Sequence, residues 1–143
     1  MLIFFNGSLM RGLPDHNHLK NAHYQGTCYT APVYRLFNIG DRHPGMFLVG
    51  EEEAGFAILG EVYEVDELTW QYIASVEPPN LYRGHVWLQD GQSIFGMLYP
   101  RELCEGRYME ISRFGSWRKY VEAAGLPMSK DASSDDKSRL LNL

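Results

Sequence analysis

The chain has 143 residues, 45% of them hydrophobic and 13% aromatic, which is enough apolar content for one compact domain with its own core. Its 18 acidic and 13 basic residues give a net charge of −5. Because this charge repels a phosphate backbone and no basic run offsets it, the composition argues against nucleic acid as a partner.

The cysteines and the amino terminus indicate a reducing compartment. Cys28 and Cys104 have neither a C-x-x-C nor a metal-ligand spacing, so we expect two buried, reduced thiols. The apolar run at residues 1–5 has no basic segment before it and no cleavage site after it, which predicts a strand rather than a signal peptide. No run approaches the roughly 20 apolar residues of a membrane helix. We therefore expect a soluble, cytoplasmic protein.

The first half of the chain is rich in strand signals. A buried strand is predicted over residues 2–5, and it leads into a loop at Asn6-Gly7-Ser8. A short helix or turn follows at residues 15–19, with Asp15 as its N-cap. Residues 24–39 predict one or two strands with a bend at Pro32, and His43-Pro44-Gly45 predicts a turn.

A strand and a helix follow, and the helix ends at Glu77. Alternating apolar and polar residues predict a half-buried strand at 61–65, and Asp66 is typical of a helix N-cap. The spacing predicts that this helix buries one apolar face. That face contains Leu68, Tyr72, Ile73 and Val76. Pro78-Pro79 must end the helix, which places Glu77 at its carboxyl end.

The remaining elements are a hairpin, a helix and a tail. Residues 82–88 and 93–99 predict paired strands around an Asp90-Gly91 turn. A second helix is predicted within 114–124, with Trp117, Tyr120, Val121 and Ala124 on one face. The polar composition of residues 129–143 predicts a disordered tail, so the domain is expected to span residues 1–128.

Two patterns that could suggest a catalytic or metal site are weak. His16, His18 and His23 lack the spacing of metal ligands and have no Cys partner, so no metal site is predicted. Ser116 and Lys119 match S-x-x-K, but the apolar face of the second predicted helix runs through this segment. We interpret it as a helix turn.

The stronger candidates are the loop after the first strand and Glu77. Consecutive backbone N–H groups at a strand end can bind an anion or a developing oxyanion. A carboxylate at an apolar helix end can have the raised pKa that a general base needs. The alternative for Glu77 is a solvated residue at a helix terminus, although a carboxylate is electrostatically disfavoured there.

These residues resemble the γ-glutamyl cyclotransferase-like family. Residues 5–12 read FNGSLMRG, with Asn17 beyond them, and are similar to that family's Y-G-[ST]-L-x-x-G…N segment. Residues 60–66, GEVYEVD, resemble its G-E-V-Y-x-V-D strand. Residues 77–82 resemble the first six positions of its E-x-x-x-x-Y-x-R segment, in which the glutamate is the base, and Arg83 follows Tyr82 directly. The resemblance covers about the first hundred residues, and Asn6 stands where these enzymes carry tyrosine.

A second resemblance extends further along the chain. Residues 31–36, Pro44-Gly45 and residues 110–118 are similar to the C-terminal domain of allophanate hydrolase, which shares the cyclotransferase fold and also carries Asn-Gly in its opening loop. The amidase region of that enzyme, with its Ser-Ser-Lys chemistry, is missing from this sequence. Glu77 matches the cyclotransferases rather than this domain.

The first resemblance implies a reaction and a set of site residues. A γ-glutamyl amine or peptide would close to 5-oxoproline and release its amine, without a metal or other cofactor. Glu77 would be the catalytic residue. The substrate would be bound by Asn6, Gly7, Ser8, Leu9 and Tyr82, although a core position for Tyr82 is equally compatible with the pattern.

Two other functions stay open. The second resemblance implies an enzyme acting on a small urea-derived carboxylate, for which His16 or His18 would matter. A ligand-binding module without catalysis is the third hypothesis. For all three, the resemblance implies an α+β fold with a small mixed β-barrel or curled sheet flanked by helices.

Overall fold

The computed structural model of the chain describes residues 1–128. This part forms eight strands and two α-helices, so the α+β prediction is confirmed. The strands are β1 (Leu2–Phe5), β2 (His23–Tyr29), β3 (Tyr34–Ile39), β4 (His43–Leu48), β5 (Leu59–Glu64), β6 (Tyr82–Trp87), β7 (Ser93–Leu98) and β8 (Met109–Glu110). The helices are α1 (Glu67–Val76) and α2 (Trp117–Ala124).

The larger sheet curls without closing into a complete barrel. Its five strands lie in the order β2-β5-β1-β7-β6, and a second sheet has the order β4-β3-β8. At one end the edge strands β2 and β6 approach each other, because Thr30 and Leu88 form an isolated bridge. The N–H of Ala31 donates to the carbonyl of Trp87 there at 2.9 Å. The structure therefore matches a curled sheet, as expected.

β1 lies at the centre of the larger sheet and is covered on both faces. It pairs antiparallel with β5 and parallel with β7. Successive side chains of a strand point to opposite faces, so Phe4 packs in one core cluster while Ile3 and Phe5 pack in another. This arrangement explains why the strand is a continuous apolar run, and it fixes the start of the loop at Asn6.

The alternation of apolar and polar residues predicted a half-buried strand, but most of β5 is buried. It lies between β2 and β1, and Glu61 on this strand is fully buried. A buried carboxylate needs charged or hydrogen-bonding partners, and Arg11 and Arg118 supply them from other parts of the chain. The alternation reflects this buried ion cluster rather than a solvent-facing side.

α1 begins and ends where the sequence predicts, but it buries a different face. The Asp66 carboxylate accepts a hydrogen bond from the N–H of Thr69 at 2.8 Å, which confirms the N-cap. The predicted apolar face is wrong in most of its members, because Leu68 is 78% exposed and Tyr72 is 50% exposed. Ile73 is buried, together with Thr69.

The turn predicted at residues 43–45 is wrong, because these residues begin β4. The chain reverses earlier, at Gly40 and Asp41, whose φ values are 63° and 62°. β4 is an edge strand of its sheet, so it tolerates Pro44, which has no N–H to donate. By contrast, the hairpin of β6 and β7 is confirmed, with Tyr82 opposite Leu98 and Trp87 opposite Ser93.

The last described element is α2, which confirms the second predicted helix. Ser116 is its N-cap and Gly125 ends it in the left-handed conformation, with φ at 69°. Trp117, Tyr120 and Val121 are buried, whereas Ala124 is exposed. The predicted tail at 129–143 lies outside the described residues. No helix within residues 1–128 has the length and apolarity needed to cross a membrane.

Both cysteines are buried, as expected. They are free thiols on separate parts of the core, and burial raises the pKa of Cys28 to about 11 and of Cys104 to about 12. Since the thiolate is the reactive form of cysteine, both are chemically inert near neutral pH.

Candidate active site

A small pocket lies where the larger sheet meets β4. Its lining comes from the end of β1 and the loop after it, the start of β4, the end of α1 and the segment that follows it, and the strand β7. The space not filled by protein atoms at this site is about 290 Å³, a figure that includes open solvent. The lining residues are Phe5, Asn6, Gly7, Ser8, Leu9, His43, Pro44, Glu77, Leu81 and Met97. Glu77 and the loop of residues 6–9, the two candidates from the sequence, thus lie in the same pocket.

Pro78 determines the direction in which Glu77 leaves the helix. The residue before a proline is excluded from the helical region, and Glu77 accordingly has φ −65° and ψ 145°. Its N–H still donates to the carbonyl of Ile73 at 3.0 Å, so its backbone stays attached to α1. Glu77 therefore lines the pocket from the rigid end of a helix.

The environment of Glu77 favours its neutral form. Its Oε1 atom is buried and has no hydrogen-bond partner among residues 1–128. Burial is the larger cause that raises the pKa of Glu77 from 4.5 to about 7, and the negative charge of Asp15 is the smaller cause. The alternative interpretation of Glu77, a solvated residue at a helix terminus, is therefore wrong. Near neutral pH this group can both take up and release a proton.

The loop of residues 6–9 lines another wall of the pocket and has unpaired backbone donors. Within the described part of the chain, the N–H groups of Gly7, Ser8 and Leu9 have no protein acceptor. Consecutive free N–H groups in a loop are a common binding site for carboxylates and oxyanions. The pocket therefore combines hydrogen-bond donors with a carboxylate of raised pKa.

Close packing between Gly7 and Pro44 joins the two halves of the pocket. A Cβ atom on residue 7 would lie 2.9 Å from Cδ of Pro44, closer than such atoms approach in proteins. Residue 7 must therefore be glycine if β4 is to pack against this loop.

Buried hydrogen bonds hold the loop from the opposite side. The N–H of Arg11 donates to Oε1 of Glu61 at 2.9 Å, and the hydroxyl of Tyr63 donates to the same atom at 2.8 Å. Nη2 of Arg118 donates to Oε2 of Glu61 at 3.1 Å and also to the carbonyl of Arg11. Glu61 thus connects β5, α2 and the loop, which fixes the loop backbone at the pocket.

The structure brings together all but one of the sequence-predicted site residues. Asn6 is buried, and its Nδ2 lies 3.2 Å from the sulfur of Met46, which holds the side chain against β4. Tyr82 is the exception, because it is 48% exposed and does not line the pocket, whereas the neighbouring Leu81 does. Its exposure also excludes the core position considered from the sequence.

His16 and His18, the histidines considered for a second function, contact residues outside this pocket or close to them in the chain. Nδ1 of His16 donates to the carbonyl of Leu9 at 2.9 Å, and His18 packs edge-on against Tyr72 with ring centres 5.6 Å apart. Neither lines the pocket that holds Glu77. The S-x-x-K segment is a helix start, as interpreted, because the hydroxyl of Ser116 accepts from the N–H of Lys119.

Sequence reasoning missed His43 as a lining residue. His43 is 5% exposed, and its Nδ1 donates to the carbonyl of Pro44 at 2.9 Å. The available signal was Gly40-Asp41, a strong hairpin turn that places the following residues in a strand. The turn predicted at residues 43–45 instead placed His43 outside the sheet and away from the site.

The family model of the allophanate hydrolase C-terminal domain matches residues 1–122. The chain belongs to this family. Among curated proteins, the chain is 28% identical to the urea amidolyase of Lachancea kluyveri over 81% of its own length, but it spans only 7% of that enzyme. It is 36% identical to MJ1514 of Methanocaldococcus jannaschii, a candidate γ-glutamylcyclotransferase, over 68% of this chain and 81% of the archaeal protein. Both resemblances seen in the sequence are confirmed.

Several solved structures share this fold. The uropathogenic Escherichia coli protein c4763 is 35% identical with a TM-score of 0.79, over 85% of this chain and 94% of that protein. Allophanate hydrolase of Kluyveromyces lactis is 27% identical with a TM-score of 0.77, over 86% of this chain and 21% of that enzyme. An AIG2-like protein of mouse, 23% identical over 96% of this chain and 89% of its own, shares the fold at a TM-score of 0.55.

Proposed function

We propose that the protein is a γ-glutamyl cyclotransferase that converts a γ-glutamyl amine or peptide into 5-oxoproline and a free amine. The observation that carries this proposal is the buried, partnerless Oε1 atom of Glu77 in one pocket with the loop whose N–H groups at Gly7, Ser8 and Leu9 are free. The similarity to MJ1514 supports the same reaction class.

In the proposed complex, each polar group of the substrate meets a protein group of complementary charge. The glutamyl end carries an α-ammonium and an α-carboxylate. The ammonium would lie at Glu77, since an ionised carboxylate attracts it and can accept its proton. The α-carboxylate or the γ-carbonyl oxygen would bind the loop N–H groups. The small pocket holds this end of the substrate, and the amine half would extend toward solvent.

The reaction needs one proton shuttle. Glu77 takes a proton from the α-ammonium, and the resulting amine attacks the γ-carbonyl carbon to form a five-membered ring. The carbonyl becomes an oxyanion, which N–H donors stabilise. When the oxyanion collapses, the bond to the leaving nitrogen breaks, and Glu77 gives its proton to that nitrogen. The ring nitrogen releases its second proton to the free amine, so 5-oxoproline forms with one amide N–H and the amine leaves as an ammonium ion. Because the attack is intramolecular, correct positioning supplies much of the rate.

The test is release of 5-oxoproline by purified protein from a panel of γ-glutamyl amines and dipeptides, followed by mass spectrometry. Replacing a general acid-base group typically lowers the rate about 100- to 10,000-fold, so Glu77→Gln should lose at least 100-fold. Glu67→Gln is the matched control, because Glu67 is exposed on the same helix. Equal turnover by the Glu77→Gln variant and the wild type would refute the proposal.

One observation favours a second candidate, an allophanate hydrolase-related enzyme acting on a small urea-derived carboxylate. The family model that matches residues 1–122 is that of the allophanate hydrolase C-terminal domain. The histidines expected for this reaction, His16 and His18, do not line the pocket with Glu77. Incubation with N-carboxylated ureas in the same assay separates the two reactions. A ligand-binding module would bind γ-glutamyl compounds and turn over neither class.

A further inference from the structure

His43 contributes a hydrogen-bond acceptor to the pocket. A carbonyl oxygen can only accept, so the contact of Nδ1 with the carbonyl of Pro44, at 2.9 Å, places the ring proton on Nδ1. In the neutral ring, Nε2 is then a lone-pair acceptor. Burial, the main cause, and the positive charge of Arg42 hold the pKa of His43 below its usual range, which keeps the ring neutral near pH 7.

Nε2 of His43 is open rather than sealed in the core. It has no hydrogen-bond partner within residues 1–128. Nε2 is not among the buried side-chain atoms that lack a partner in this part of the chain, so it keeps an accessible surface. His43 lines the pocket and is only 5% exposed, so the pocket is the side from which a ligand can reach its ring.

We propose that His43 is a substrate-binding residue whose Nε2 accepts a hydrogen bond from the α-ammonium group of the glutamyl end. This inference rests on the function proposed above and adds a specificity residue to it. A lone-pair acceptor recognises a group that carries a proton, and the α-ammonium is the strong donor of that end. The α-carboxylate is itself an acceptor and would be repelled.

This contact solves a physical problem of the proposed reaction. An ammonium group brings three N–H donors into the pocket, and each donor left without an acceptor costs free energy. Glu77 and His43 approach from different elements, the end of α1 and the start of β4. Two acceptors fix the position of the nitrogen, and the hydrogen bond to His43 still holds it in the pocket after Glu77 removes a proton.

A ligand pair isolates the ammonium contact from turnover. L-glutamate carries the α-ammonium and glutarate lacks it, and neither forms 5-oxoproline by releasing an amine. Affinities are measured by NMR titration near neutral pH for the wild type, His43→Asn and His43→Gln. Asparagine keeps a donor for the Pro44 carbonyl but has no acceptor where Nε2 lies, whereas glutamine places its amide oxygen near that position.

The wild type should bind L-glutamate more tightly than glutarate. His43→Asn should weaken L-glutamate binding about 10-fold, as expected for a hydrogen bond to a charged group, and leave glutarate binding unchanged. His43→Gln should restore most of the lost affinity. An unchanged preference for L-glutamate in His43→Asn, or no binding of L-glutamate to the wild type, would overturn the inference.

A second measurement needs no variant and therefore does not depend on whether substitutions fold. In wild-type protein with ¹⁵N-labelled histidine, L-glutamate should move the Nε2 resonance of His43 while glutarate leaves it in place. An unmoved resonance in the presence of bound L-glutamate would also overturn the inference. If His43-dependent binding is present but no 5-oxoproline is released, the proposed function fails and the role of His43 stands.

Discussion

Ser8 and Asp15 are joined by two hydrogen bonds that close the loop after β1. The hydroxyl of Ser8 donates to Oδ2 of Asp15 at 2.8 Å, and the N–H of Asp15 donates to the carbonyl of Ser8 at 3.0 Å. The sequence predicted Asp15 as a helix N-cap, but its side chain makes no capping hydrogen bond to the 3₁₀ turn His16–Leu19 that follows. Its carboxylate instead adds a negative charge near Glu77.

Asp15→Asn should lower the pKa of Glu77 from about 7 without bringing it to 4.5, because burial is the larger cause of the raised pKa and remains in the variant. Asparagine keeps an oxygen that accepts from Ser8, so the loop should hold its shape. The measurement is an NMR titration of the Glu77 carboxyl carbon. Asp66→Asn, at the far end of α1, is the control. An unchanged Glu77 pKa in Asp15→Asn would contradict this electrostatic coupling.

Glu77→Gln should make the protein more stable above neutral pH. The folded pKa of about 7 exceeds the ordinary value of 4.5, so the native state binds the proton more tightly than the unfolded state. Wild-type stability therefore falls as the pH rises from about 4.5 through 7, and Glu77→Gln escapes this loss. At about 1.4 kcal/mol per pKa unit, the largest stability loss that Glu77 can cause is about 3 kcal/mol.

Urea unfolding at pH 4 and pH 8 measures this difference. The stability gap between Glu77→Gln and the wild type should widen by up to about 3 kcal/mol in favour of the variant between the two conditions. Glu67→Gln, on the exposed side of α1, should show no such widening. A gap that is the same at both pH values would mean that Glu77 titrates normally in the folded protein.

The sequence predicted the elements whose causes are local. Pro78 ends α1 and directs Glu77, Gly91 turns the hairpin, and the apolar run of β1 requires a central strand. The buried face of α1 could not be predicted, because it depends on what packs against the helix. Leu68 fits the helical spacing as well as Ile73 does, yet only Ile73 of these two meets the core.

The parts of the site that escaped prediction depend on distant contacts. Glu61 pairs with Arg118, 57 residues away, and no local pattern distinguishes this buried glutamate from a solvent-facing one. His43 reaches the pocket because β4 packs against the loop at Gly7. Glu77 was accessible to sequence reasoning because one local cause, Pro78, and one family resemblance pointed to the same residue.

Gly7→Ala should destabilise the protein by about 1–3 kcal/mol and weaken ligand binding, because the added Cβ would lie 2.9 Å from Cδ of Pro44. The pocket must open between the loop and β4 to relieve this contact. Pro44→Ala removes the opposing ring atoms, so the double variant should regain part of the loss. Gly50→Ala is the control, since its Cβ would meet Oε2 of Glu53 at 3.4 Å. Strictly additive losses in chemical denaturation would contradict the proposed clash.

Glu61→Gln should cost about 3–5 kcal/mol of unfolding free energy, the usual effect of removing one partner from a buried ion pair. The carboxylate of Glu61 is fully buried, and the side chains of Arg11 and Arg118 are only 18% and 22% exposed. Without the negative charge, both arginines keep their positive charge in a poorly solvated place.

Glu64→Gln provides the comparison for this prediction. Glu64 lies on the same strand and pairs with the amino terminus at 2.9 Å, but its side chain is 49% exposed. Water screens such a pair, so its loss should cost no more than about 1 kcal/mol in the same urea titration. Equal costs for the two substitutions would show that burial does not set the strength of the Glu61 cluster. A large loss for Glu61→Gln alone, with weaker ligand binding in the folded variant, would identify this cluster as the support that holds the loop N–H groups at the pocket.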